Sequence, residues 1–113
     1  MELDKSKIYI LDFWFTNCPP CARDHKLIFE KLKFLKEKNI ELIGISTDSN
    51  FSEWKKYLKD HNYKWRNYRE IDSLKKVTKD MAIRAFPTYL VLNKNGKIKA
   101  RYNSFEDFLK RLK

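Results

Sequence analysis

Residues 8–15, Ile-Tyr-Ile-Leu-Asp-Phe-Trp-Phe, form an apolar and aromatic run broken only by Asp12. A short run of this kind predicts a central strand buried on both faces. Pro19 and Pro20 then stand where the first turn of a helix tolerates missing N–H groups. Ile28, Leu32 and Leu35 recur on one face of that helix, which reaches about Lys38. Residues 40–46 read as a second buried strand, with Gly44 allowing a close backbone approach. Asn50 followed by Glu53 matches a capping box, and Phe51, Trp54, Tyr57 and Leu58 carry helical spacing to about Asp60.

The remainder is less regular at first and then clear again. Residues 61–70 show no firm period and leave room for a short extended segment. Asp72 is placed as the cap of a helix carrying Leu74, Val77 and Met81. Phe86 precedes Pro87 and is pushed toward extended geometry. Residues 88–92 read as a strand, Asn95-Gly96 as a hairpin turn, and Ile98, Ala100 and Tyr102 alternate through a further strand. Ser104 caps a closing helix whose face is Phe105, Phe108, Leu109 and Leu112. Two βα units, an extra helix and a ββα end require one parallel pair with a right-handed crossover and one antiparallel pair. The prediction is an α/β fold: a four-stranded mixed sheet with helices on both faces, in one domain over residues 1–113.

Composition narrows the classes. Hydrophobic residues make up 42% and aromatics 15%, which excludes a disordered chain. No apolar run approaches the roughly 20 residues that a membrane helix needs. The first residues lack an apolar core and a small-residue cleavage site, so no signal peptide is expected here. That leaves a cytosolic protein or a domain excised from a longer exported chain. The net charge of +10 permits anionic partners, but the lysines are spread through nearly every segment. No stacked-aromatic motif, finger or recognition helix accompanies them, so they read as solvated helix faces without specific nucleic-acid binding.

The candidate chemistry is at residues 18–21. Cys18 and Cys21 are the only cysteines, and two thiols at that spacing can close a disulfide within one turn. Cys18 falls at a helix start, where free N–H groups and the helix dipole favour a thiolate, with a pKa lowered from about 8.5 into the range of roughly 3.5–7.5. Cys18 is expected to attack and Cys21, one turn in and more buried, to resolve the mixed disulfide. A zinc site needs four ligands, and only His25 and His61 could join the pair. His25, four residues after Cys21, is placed on the exposed side of the helix. A copper site from the cysteines and a histidine, or a chaperone module without turnover, is the alternative. Asp12 interrupts a buried strand. Burial should raise its pKa, which suits a group passing a proton to or from Cys21, unless it faces solvent or pairs with a lysine.

Leu-Asp-Phe-Trp-x-x-x-Cys-x-Pro-Cys over residues 11–21 and Arg-Ala-Phe-Pro-Thr over 84–88, followed by a strand, Asn95-Gly96 and another strand, resemble the two signatures of the thioredoxin superfamily. The resemblance covers nearly the whole chain and implies a thioredoxin-like fold with a helical insertion before the cis-proline strand. The length of the stretch from Asp48 to Ala85, and Ile43-Gly44-Ile45-Ser46-Thr47-Asp48 at its start, are similar to the bacterial TlpA/ResA-like branch. That likeness implies a thiol-disulfide oxidoreductase acting on protein disulfides, most often as a reductant. It also implies a monomer fed by an upstream thiol donor, on the periplasmic or cell-envelope side, with the cytoplasm as the alternative. It implies that Asp12 holds the proton-relay position. Pro87 would be cis and would present the Phe86 backbone to an extended substrate. Trp14 would lie under the active site and complete the substrate-facing set with Phe86 and Pro87. No cofactor beyond the redox-active Cys18–Cys21 disulfide, and no metal, is implied. Three positions depart from the pattern: Asn17 replaces a second tryptophan, Lys26 a helix-kinking proline, and Pro-Pro the Gly-Pro of thioredoxin itself.

Overall fold

The computed structural model describes residues 3–70, 79 and 81–112. Strand β1 (Ile8–Trp14) leads into helix α1 (Pro19–Glu37), strand β2 (Ile40–Ser46) and helix α2 (Phe51–Asp60). Strands β3 (Asn67–Arg69), β4 (Thr88–Leu92) and β5 (Ile98–Tyr102) follow, and helix α3 (Phe105–Arg111) closes the chain. The sheet order is β3-β2-β1-β4-β5. β1 is central, parallel to β2 and antiparallel to β4, and β2 is parallel to β3.

The expected four-stranded sheet is therefore a sheet of five. The added edge strand, β3, is only three residues long and pairs Gly44 with Asn67, Ile45 with Tyr68 and Ser46 with Arg69. Asn-Tyr-Arg has no apolar alternation to announce a strand. It is held instead by the β2 ladder and by what its side chains do at the site. The helix expected from Asp72 lies outside the described residues, apart from Lys79 and Met81. Met81 packs against the core beside Ile83.

Alternation along β1 divides the core. Tyr9, Leu11 and Phe13 point to one face, with Ile43, Ile45, Leu90 and Leu92. Ile10 points to the other, under Ile28 and Leu35 of α1 and Phe105 and Phe108 of α3. Ser104 caps α3, its Oγ accepting from the Asp107 N–H at 3.1 Å, and Asn50 caps α2 likewise from Glu53 at 3.0 Å. Gly96, at φ +78°, and Asn93, whose Oδ1 accepts from the Asn95 and Lys97 N–H groups, close the β4–β5 hairpin. Asn39 takes a left-handed φ of 60° where the chain leaves α1, which lets β2 start at once.

Candidate active site

The site assembles at the C-terminal end of β1. Cys18 is the N-cap of α1 with extended backbone, and its Sγ accepts from the Cys21 N–H at 3.3 Å. Pro19 and Pro20 occupy the first helical positions, where no donor is lost to the helix. Cys18 and Cys21 are joined in a disulfide. The pair packs with Trp14 and Trp54 in a small apolar cluster, with Phe15, Tyr57, Leu58 and Phe86 against it. Both cysteines are almost wholly covered, Cys18 at 3% and Cys21 at 1% exposure.

The loop from β1 to Cys18 is pinned by Asp48. Its carboxylate accepts from the Thr16 N–H at 3.0 Å to each oxygen, from Thr16 Oγ1 at 2.8 Å and from Ser46 Oγ at 2.5 Å. The end of β2 thereby fixes the approach to the disulfide. The opposite wall is the Phe86–Pro87 segment, whose peptide bond is cis. Asn103 Nδ2 donates to the Pro87 carbonyl at 3.3 Å and to Thr88 Oγ1 at 3.1 Å, while Thr88 Oγ1 donates to the Ala85 carbonyl at 2.6 Å. Phe86 meets Phe15 edge to face, with centroids 5.4 Å apart.

Beneath the disulfide, Asp12 is fully buried and His25 is 1% exposed. His25 Nε2 lies 3.0 Å from Asp12 Oδ2, and Nδ1 lies 2.8 Å from the Tyr57 hydroxyl. Burial pushes the Asp12 carboxyl above the usual carboxylate range, and the hydrogen bond and charge of His25 restrain part of that rise. Burial also raises the Tyr57 hydroxyl. Trp14 stands edge-on to the His25 ring at 4.6 Å, and its Nε1 donates to Asn67 Oδ1 at 3.1 Å. Below these, Asp24 Oδ2 accepts from the Tyr89 hydroxyl at 2.9 Å and the Phe105 N–H at 3.0 Å, tying α1 to β4 and α3.

The structure thus brings Cys18, Cys21 and Trp14 together with Phe86 beside them, and sets Pro87 at the head of β4 next to β1. Asp12 neither faces solvent nor meets a lysine; its partner is His25. The exposed position expected for His25 is wrong. Cys21, His25, Ile28 and Leu35 are the buried stripe of α1, so histidine continues an apolar face because a buried carboxyl waits beneath it. That spacing was visible in the sequence. Tyr57, Asp48 and Asn67 were also missed as site residues, since each acts through a tertiary hydrogen bond that no local pattern signals.

A disulfide at a helix start, with the cis Phe86–Pro87 segment beside it through Phe86, marks a candidate dithiol–disulfide site on a thioredoxin-like fold. Residues 5–98 match the model of the family described as thioredoxin-like, and the chain belongs to that family. Among curated proteins it is similar to the thiol-disulfide oxidoreductase ResA of Bacillus cereus, 29% identical over 94 residues that make up 83% of this chain and 53% of that one. The chain spans about half the length of the curated relatives it matches. Among solved structures, the thioredoxin domain of a thiol-disulfide oxidoreductase from Bacteroides vulgatus superposes with a TM-score of 0.81 at 25% identity, covering 96% of this chain and 81% of that chain. A thiol-disulfide oxidoreductase from Bacteroides fragilis gives 0.74 at 28% identity, covering 95% and 82%.

Proposed function

We propose that this domain is a thiol-disulfide oxidoreductase that reduces protein disulfides through Cys18 and Cys21. The observation that carries the reading is the Cys18–Cys21 disulfide at the first turn of α1, set beside the cis Phe86–Pro87 segment. The Cys18 thiolate attacks a substrate disulfide, forming a bond to one substrate sulfur and releasing the other as a thiolate. Cys21 then attacks Cys18 Sγ, closing the intramolecular disulfide and expelling the second substrate thiolate. The Cys21 thiol must lose a proton in that step, and buried Asp12 is the base that takes it. The Phe86 backbone, ahead of Pro87, pairs with the extended substrate, and Trp14 floors the site.

The pair itself carries the electrons, so the mechanism calls on no further cofactor. An upstream thiol donor restores the dithiol, and the domain acts as a monomer. An extracytoplasmic location is supported by the likeness of residues 43–48 to the envelope branch and by the ResA relatives. Among the described residues, no helix is long and apolar enough to cross a membrane. The copper reading is less well supported, because both ring nitrogens of His25 are engaged, by Asp12 and by Tyr57.

Dithiothreitol-driven reduction of insulin tests the chemistry. The protein should accelerate it and Cys18→Ser should abolish the acceleration; wild-type turnover in that variant refutes the assignment. A reduction potential near the thioredoxin value of about −270 mV supports the reductant role, and one near −120 mV an oxidant. Trapping with Cys21→Ser should capture exported proteins as mixed disulfides, whereas capture of cytosolic enzymes removes the envelope assignment alone.

A further inference from the structure

We propose that His25 and Tyr57 extend the acid–base machinery beneath the disulfide into a relay, so that the proton released by Cys21 passes from Asp12 through the His25 ring and the Tyr57 hydroxyl to solvent. This rests on the thiol-disulfide reading above and adds two residues to it. A carboxyl with no exposed surface can accept a proton once, but it must also give that proton up before the next turnover. Asp12 has no exposed surface of its own through which to do so. Its Oδ2 is held by His25 Nε2 at 3.0 Å, and the other ring nitrogen of the same histidine is 2.8 Å from Tyr57. Tyr57 is half-buried, on α2, and so is the member of the chain that reaches the surface. Imidazole suits the middle place because it can bind a proton at one nitrogen and release another from the second.

The remaining geometry fits that direction of transfer. Cys21 and His25 are one turn apart on the buried face of α1, and Asp12 lies between this face and the sheet. Asp12 Oδ1 has no hydrogen-bond partner among the described residues, which leaves one carboxyl oxygen for the Cys21 proton while the other stays on His25. Trp14, Tyr57, Tyr63 and Trp65 wall the imidazole with ring centroids 4.6–5.7 Å away, and they fix its plane. The titratable groups packed around the pair are Cys21 and Asp24 from α1, Tyr57 from α2, His61 and Tyr63 from the loop after it, and Tyr89 from β4. Asp24 favours a protonated Asp12, in the same sense as burial.

The step balances. Cys21 sulfur bonds to Cys18 sulfur as the Cys18–substrate S–S bond breaks and the substrate leaves as a thiolate. Asp12 takes the Cys21 proton on Oδ1; rotation of the carboxyl presents it to Nε2 of a ring whose own proton sits on Nδ1, and the ring becomes doubly protonated. Release follows from Nδ1 to the Tyr57 oxygen as the Tyr57 proton passes to water. His25 acts through Asp12 and is a positioning residue for the proton, not a group that touches substrate.

Reaction of the fully reduced protein with 5,5′-dithiobis(2-nitrobenzoic acid) separates the two chemical steps. The first equivalent of thionitrobenzoate reports attack by Cys18, and the second reports resolution by Cys21. In His25→Gln, whose amide can still donate to Asp12, the first phase should keep its rate. The second should slow by about tenfold or more near neutral pH, less than the roughly 10²–10⁴-fold that a directly acting general acid or base supplies, because His25 acts through Asp12. Its pH profile should also move at the inflection that Asp12 gives the wild type, since the hydrogen bond and charge of His25 hold the Asp12 value down. Tyr57→Phe, which removes only the hydroxyl, should slow the second phase in the same sense and remains informative if His25→Gln folds poorly. A second phase with unchanged rate and pH profile in the folded variants, beside a normal first phase, overturns this inference and leaves the dithiol reading standing. An equal slowing at every pH overturns it too, since that marks a purely structural role. Absence of the first phase in the wild-type protein overturns both.

Discussion

The indole of Trp14 reaches Asn67 across the backbone of Gly44: Trp14 Nε1 donates to Asn67 Oδ1 at 3.1 Å, and Gly44 is the residue paired with Asn67 in the β2–β3 ladder. A Cβ at position 44 would overlap the Asn67 side-chain oxygen and crowd Trp14 Nε1. The glycine therefore exists to let an edge strand hold the tryptophan that floors the disulfide. This links a three-residue strand, weak by itself, to the orientation of the site.

Gly44→Ala should destabilise the protein by about 1–3 kcal/mol, the usual cost of overpacking a closed site. Asn67→Ala should cost a similar amount, about 1–3 kcal/mol, because it leaves the buried Trp14 Nε1–H without its acceptor and removes the Asn67 amide's bond to the Trp65 carbonyl. The double variant should be more stable than the two single losses predict, because removing the Asn67 side chain frees the space that alanine needs. Urea denaturation of the four proteins measures the coupling, expected at about 0.5–3 kcal/mol. Strict additivity would mean that the overlap is relieved elsewhere.

Asp48 holds the loop before Cys18 by accepting from the Thr16 N–H, Thr16 Oγ1 and Ser46 Oγ. Asp48→Ala leaves three donors without their acceptor, one of them on the wholly buried Ser46. We expect a loss of about 1–3 kcal/mol and a slower attack by Cys18 on a model disulfide. Asp48→Asn keeps one acceptor oxygen and should fall between the two proteins. A destabilised Asp48→Ala with undiminished Cys18 reactivity would show that the loop needs no such anchor.

Much of this architecture was legible in the chain, and the exceptions share a cause. β1, β2 and β4 are short apolar runs, and α2 and α3 carry side-chain caps at Asn50 and Ser104, so periodicity and local hydrogen bonding suffice to place them. Residues 61–70 leave room for a short extended segment, but β3 escaped the count of strands in the sheet, because Asn67 contributes a tertiary hydrogen bond to Trp14 and Arg69 donates to the Asp48 carbonyl at 3.2 Å. Neither residue contributes to an apolar period. His25 escaped for the opposite reason: it sat on a correct apolar stripe, but its polarity argued for the surface until Asp12 was placed under it. Cys18, Cys21, Trp14, Phe86 and Pro87 were singled out from two sequence motifs far apart along the chain, and the pairing of β1 with β4 brings those motifs side by side.

Tyr89 is fully buried on β4 and donates to Asp24 Oδ2 at 2.9 Å, while the same oxygen takes the Phe105 N–H at the start of α3. Burial, with the charges of Asp12 and Asp24, raises the pKa of the phenol, so it stays a donor throughout the working range. Tyr89→Phe removes a hydrogen bond to a carboxylate without leaving a cavity. It should cost about 1–3 kcal/mol and loosen α3 more than α2, read as faster amide exchange at Phe105 and Phe108. Equal exchange in the two proteins would mean that Asp24 anchors α3 without help from Tyr89.

Asp12 gives the stability curve a defined slope. In the unfolded chain its carboxyl titrates near 3.8, and in the folded protein burial raises that value against the opposing pull of His25. Between the two values the folded state keeps a proton that the unfolded state has lost. The contribution of Asp12 to stability is therefore greatest below about pH 4, falls as pH rises through the folded value, and is flat beyond it. Asp12→Asn cannot ionise, and its amide oxygen can still accept from His25 Nε2–H. It should match the wild type near pH 4 and equal or exceed it at pH 7, while resolving mixed disulfides more slowly at pH 7, where the carboxylate acts as base, and at a similar rate near pH 4, where Asp12 is protonated. Urea denaturation of the two proteins from pH 4 to 8 provides the measurement, since other titrating groups cancel in the difference. If the variant instead loses ground as pH rises, the Asp12–His25 ion pair outweighs the burial of the carboxylate, and the raised pKa is wrong in sign.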